Sequence, residues 1–234
     1  MHRAEIYKII NNFVPSEFAE SWDCCGILTE SEDAEIQKVM MCLTVTDDVV
    51  KEAFEKNCDM IISHHPLFFI PFEYKKINIF CAHTNLDRAC GGTTDTLIKN
   101  LNLENPAQIK TGENGNPDFV RYVDCKISVK DLAEKLKPLS TNLRYVNNRR
   151  IENLHRIAFC AGSGAEFIEE AFENGADAFV TGDLKFHTAL DSKIVVFDIG
   201  HFESEILVLE VFENLLKPYV ETVRATEKSP FIYI

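Results

Sequence analysis

No stretch of the sequence is apolar for as long as the roughly 18 residues that a membrane-spanning helix requires. No C-x-x-C pair occurs, so the spacing of a zinc knuckle is missing, although there are eight cysteines. There is no phosphate-cradling glycine loop: "AGSGAE" at 161–166 lacks the lysine of a P-loop and reads as a tight strand-to-helix turn. The helix start after it could offer free N–H groups to an anion only weakly. Basic residues are few, 24 Lys and Arg against 37 Asp and Glu, for a formal charge of −13. That balance disfavours a nucleic-acid surface, which needs clustered cations, but leaves room for a small phosphorylated ligand in a local basic pocket. The first residues, "MHRAEIYKIINNFVPSEF", carry charges through their apolar pattern, unlike an export signal. The expected compartment is therefore the cytoplasm, without a disulfide framework.

What is present is an ordinary globular composition, 46% hydrophobic and 26% charged. The length suits one large domain or two of about 100–120 residues. Cys42, Cys58, Cys81 and Cys160 fall in apolar runs, where a thiol packs as a small hydrophobe. The adjacent Cys24 and Cys25 are the odd pair, read as packing rather than redox chemistry.

Residues 38–87 repeat in 156–205 without a gap, at an offset of 118. "KVMMC" lies over "RIAFC" and "EAFEKNCDMIIS" over "EAFENGADAFVT", while Phe68 falls on Phe186, Lys75 on Lys193 and His83 on His201. Each copy reads as a strand (38–45; 156–161), a helix (47–57; 165–174), a buried strand (59–63; 177–181) and a further strand (77–82; 194–199). Helices are expected near 93–100 and from about 202 to 216, with Asn57 and Gly175 as left-handed helix ends. The pattern predicts an α/β fold of two similar lobes that arose by internal duplication. The Gly-, Pro- and Asn-rich segment 104–118 sets the division at residues 1–112 and 113–234.

The polar residues that interrupt this pattern lie at strand ends, where ligands gather in open α/β sheets. His64 and His65 end one strand; His83, Asn85 and Asp87 follow another; His201, Glu203 and Glu205 follow its counterpart. Adjacent strand residues point to opposite faces, so His64 and His65 converge only if the strand stops and bends there, which Pro66 favours. His201 and Glu205, four apart at a helix start, share one face. A lone histidine is more often a core or surface residue, and His2 and His155 are left as such. Three histidines and two carboxylates at matching ends exceed the needs of one tetrahedral zinc and suit a two-metal site.

At these residues the chain resembles the type 2 GTP cyclohydrolase I homologues, also called Nif-three-like proteins. Five blocks carry the resemblance: "ESWDCCGIL" at 20–28, "IISHHPLFF" at 61–69, "AHTNLDRACGGTTDTL" at 82–97, "VTGDLKFHTALD" at 180–191 and "DIGHFESE" at 198–205. It implies two similar α/β lobes, a dinuclear metal site in the cleft between them, and a toroidal homohexamer. It also implies His64, His65, Asp87, His201 and Glu205 as metal ligands. His64 and Asp87 would serve one ion, His65 and His201 the other, and Glu205 would bridge. Two divalent ions per chain follow, with Zn, Fe, Mn and Ni equally suited. Where the family carries Asn-Val this chain has Cys24 and Cys25, and where it often carries Asp this chain has Thr44; neither change removes a ligand.

The activity implied is GTP cyclohydrolase: hydration of the guanine ring at C8, loss of formate and formation of dihydroneopterin triphosphate. His83, outside the ligand set, is the candidate acid–base group. His187 is a second candidate or a surface residue, and Lys185 a candidate phosphate contact. Two alternatives stand beside this: a metallohydrolase for another nucleotide or phosphoester, and a metal-binding regulatory or interaction protein without turnover.

Overall fold

Met60–Ser63, Ala178–Thr181 and Val195–Asp198 bury every residue, as unalternating apolar runs do in a sheet covered on both faces. They belong to a mixed α/β fold with two sheets, seen in a computed structural model that describes residues 1–112 and 115–232. The chain divides into two units, Met1–Gly92 with Val208–Lys228, and Thr93–Leu207 with the stretch from Ser229 on. The boundary expected at 112/113 falls on Glu113, outside the described residues.

The first unit contains α1 (Arg3–Phe13), β1 (Gly26–Thr29), β2 (Lys38–Cys42), α2 (Asp47–Glu55), β3 (Met60–Ser63), β4 (Asn78–Cys81) and α3 (Thr84–Arg88). Thr46 caps α2 by accepting from the Val49 N–H at 3.3 Å, and Asp47 and Asp48 complement the helix dipole in its first turn. Val49, Val50 and Ala53 bury its inner face against Met40, Ile61 and Ile79. Each valine so buried contributes about 1.5–3 kcal/mol. Asn57, at φ 54°, turns the chain out of the helix in the left-handed conformation that its position predicts.

The second unit runs through α4 (Thr93–Leu101), β5 (Gln108–Thr111), β6 (Pro117–Ser128), α5 (Val129–Leu136), β7 (Arg144–Val146), β8 (Asn153–Phe159), α6 (Ile168–Glu173), β9 (Ala178–Thr181), α7 (Phe186–Asp191), β10 (Val195–Asp198) and α8 (His201–Glu205). Its sheet has the order β5-β6-β8-β9-β10-β7. The segment 104–118 holds β5 and the start of β6, which pair antiparallel. The helix expected from 202 to 216 is interrupted: α8 passes into a 3-10 turn at Ile206–Val208 before α9 (Leu209–Leu216). The final strand, β11 (Glu221–Arg224), pairs parallel with β2 and completes the first sheet as β1-β4-β3-β2-β11.

The ladders test the repeat register. Val39 pairs with Met60 and Ile157 with Ala178, which keeps the offset of 118. On the next strand Met60 pairs with Asn78 but Ala178 with Val195, so the offset drops to 117. The connection from β9 to β10 is one residue shorter than that from β3 to β4. His83 therefore shares its place before a helix with Gly200, not with His201. The gap-free pairing of His83 with His201 and of Asp87 with Glu205 is one residue out.

Candidate metal centre

In the first unit the end of β3 is bent as Pro66 predicts. The His64 N–H donates to Cys42 O at 3.1 Å and the His65 N–H to Leu43 O at 2.7 Å, so both main chains hang from the end of β2. The two rings then lie on one side, with centroids 5.0 Å apart. His64 is fully buried, and its Nδ1 lies 3.0 Å from Ala82 O. A carbonyl only accepts, so Nδ1 carries a proton, and Nε2 lies 3.5 Å from Asp87 Oδ1. The His65 Nδ1 is held by Thr44 Oγ1 at 2.7 Å.

His83 precedes α3 and stands beside this pair, its ring centroid 5.3 Å from that of His64 and 5.8 Å from that of His65. His64, His83 and Asp87 offer ligand atoms that all lie within 4.8 Å of one another. His83, read from sequence as an acid–base group, thus sits close enough to share an ion. Its Nδ1 is held by both oxygens of Asp23, at 3.1 Å each. Asp23 also accepts from the Cys24 N–H, the Thr84 N–H and hydroxyl, and the Cys25 thiol at 2.9 Å. Burial pushes this carboxyl up, but the hydrogen bonds from His83, Cys25 and Thr84 outweigh it and hold it well below the usual range. Cys25 is thereby a brace for Asp23, and all eight cysteines are free thiols. The Cys25 thiol is lowered by a hydrogen bond from Cys81, with burial opposing.

In the second unit, β9 ends at Thr181 and β10 at Asp198. His201 and Glu205 share one face of α8, with Nε2 3.0 Å from Oε2. The His201 Nδ1 meets Asp183 Oδ2 at 2.8 Å, from a residue in the left-handed region at φ 55°. The Glu205 hydrogen bond, opposed by burial and joined by the charges of Glu205 and Asp183, pushes His201 up to about 9. The "AGSG" turn packs on this pair. A Cβ on Gly162 would meet Glu205 Oε1 and force that carboxylate to move, and Gly162 sits at φ 69°, a conformation that favours glycine. Its N–H donates to Ser204 Oγ, which donates to His201 O. His187 is exposed on α7, edge-on to Phe186, and Lys185 is exposed beside it.

Residue spacing pointed to the imidazoles and carboxylates themselves. It missed those behind them: Asp23, Thr44, Ala82 and Asp183. Asp23, Ala82 and Asp183 do lie inside blocks that carry the resemblance, and Thr44 stands where the family often carries Asp; those are the signals for them. Among the described residues no helix is long and apolar enough to cross a membrane.

A GTP cyclohydrolase 1 type 2 homolog of Campylobacter jejuni is 31% identical to this chain, with all of both chains covered. The crystal structure of a hypothetical protein of Staphylococcus aureus superposes with a TM-score of 0.83 at 28% identity, covering 100% of this chain and 99% of that one. Reduced HcgD from Methanocaldococcus jannaschii gives a TM-score of 0.82 at 28% identity, covering 97% and 98%. The family profile of Duf34/NIF3 (NGG1p interacting factor 3) matches residues 1–230, and the chain belongs to that family.

Proposed function

We propose that this chain is a dinuclear, divalent-metal-dependent hydrolase that opens the guanine ring of GTP, releasing formate and leading to 7,8-dihydroneopterin triphosphate. His64, His65, Asp87, His201 and Glu205 would hold the ions, and the two units would descend from one duplicated ancestor. One observation supports this above the rest. Each of the three ligand histidines has its Nδ1 engaged, by Ala82 O, Thr44 Oγ1 and Asp183 Oδ2, while Nε2 of His64 and of His201 faces a carboxylate of the same proposed set, Asp87 Oδ1 at 3.5 Å and Glu205 Oε2 at 3.0 Å. Proteins orient metal-binding imidazoles in this way, and the nitrogen and oxygen donors suit Zn, Fe, Mn or Ni.

Bound divalent ions supply Lewis acidity, which acidifies water and stabilises developing negative charge. The chain supplies the proton traffic. With Nδ1 fixed by Asp23, His83 offers Nε2 to take a proton from the attacking water and return it to the ring nitrogen that departs. The protein would act in the cytoplasm on a small-molecule substrate and assemble as a toroidal homohexamer.

Purified protein loaded in turn with Zn, Mn, Fe or Ni should release formate and a fluorescent pterin from GTP. Release from another nucleotide or phosphoester alone would move the substrate assignment to a different metallohydrolase. Bound metal without turnover of any of them would favour a regulatory interaction protein, which the family's name favours.

A further inference from the structure

We propose that Glu227, in the C-terminal tail, is a positioning residue for His65. β11 lies parallel to β2 in register, from Glu221 opposite Lys38 to Arg224 opposite Met41. The Ala225 N–H then donates to Met41 O at 2.9 Å, so the tail continues beside β2 and past its end. Thr226 ties it to α2, donating to Glu52 through its N–H at 2.9 Å and its hydroxyl at 2.8 Å. This brings Glu227 alongside residues 43 and 44, at the strand ends where ligands gather.

There its carboxylate accepts two main-chain hydrogen bonds, one on each oxygen: from the Leu43 N–H at 2.7 Å and from the Thr44 N–H at 3.0 Å. These two residues hold His65. Leu43 O accepts the His65 N–H at 2.7 Å, and the Thr44 hydroxyl meets the His65 Nδ1 at 2.7 Å. Glu227 thus fixes the Leu43–Thr44 peptide, whose carbonyl holds the His65 main chain, and the residue whose hydroxyl holds the His65 ring. The His64 ring is an internal control, because its Nδ1 is held by Ala82 O, which Glu227 does not touch; only the His64 main chain, on Cys42 O, shares a peptide with the Leu43 N–H. The meaning of this for a metal rests on the ligand role proposed for His65; the positioning itself does not.

The test uses full-length, metal-free protein labelled with ¹⁵N-histidine. Ring nitrogen signals are compared among wild type, Glu227→Ala, Glu227→Gln, Thr44→Val and Thr44→Ser, with circular dichroism to confirm folding. Glu227→Ala and Thr44→Val should both shift the His65 ring signals and leave those of His64 in place. Glu227→Gln, which can accept from only one of the two N–H groups, should give a smaller shift than Glu227→Ala, and Thr44→Ser, which keeps the hydroxyl, should stay near wild type. Zn affinity by chelator competition should fall about ten- to a hundredfold in Glu227→Ala and Thr44→Val, and recover in Thr44→Ser. His65 signals unchanged in Glu227→Ala would overturn the assignment. So would equal shifts of His64 and His65, which mark general loosening. If the wild type takes up no Zn, the proposed function falls, while the ring signals still decide the role of Glu227.

Discussion

Both carboxylate oxygens of Asp23 lie 3.1 Å from the Nδ1 of His83, on a side chain that solvent does not reach. Asn in its place would turn an NH₂ toward donors that now meet an oxygen. Asp23→Asn should therefore cost about 2–3 kcal/mol in urea unfolding at pH 7. The folded-state carboxyl titrates below its unfolded value, so its stabilisation is present above about pH 4 and fades as the pH falls. The gap between variant and wild type should narrow below that point. A constant gap from pH 7 to pH 3 would contradict the reading.

His201 lies at about 9 when no ion competes for it, because Glu205 hydrogen-bonds it and Asp183 adds charge. At pH 7 the ring is then an imidazolium, and an ion must displace its proton. Metal affinity should rise with pH from 7 to about 9 and level off above. Calorimetry in buffers of different ionisation enthalpy should show proton release on binding at pH 7. An affinity flat from pH 7 to 9 would remove His201 from the ligand set. In Asp183→Asn the rise should move to lower pH.

Gly162 is packed so closely against Glu205 that a side chain there requires the carboxylate to shift. Gly162→Ala should displace that carboxylate and lower metal content. The left-handed backbone alone should cost about 1–2 kcal/mol, read as a lower melting temperature. Wild-type metal content in a folded Gly162→Ala would show that the turn does not set the position of Glu205.

Much of this fold is legible in the sequence because its parallel strands are short, apolar and separated by amphipathic helices. Asn57 and Gly175 mark the ends of α2 and α6, and both adopt positive φ. The short, half-exposed "ETVR" of β11 carries no such signal; it is a strand only because β2 offers an open edge. The one-residue slip between β4 and β10 is equally silent, since a gap-free alignment hides a loop shortened by one. At the candidate site, His64, His65, His201 and Glu205 stand out by type and spacing. Their holders do not. Thr44, Asp183 and Glu227 are commonplace residues whose role comes from tertiary approach, and Glu227 reaches Thr44 across almost the whole chain.

The account stands most directly on metal content. Elemental analysis of the purified wild-type protein should find close to two divalent ions per chain. Folded His64→Ala and Glu205→Ala should each lose most of that metal. Full metal content in both variants, or none in a wild type offered Zn, Mn, Fe and Ni, would contradict the site at its foundation.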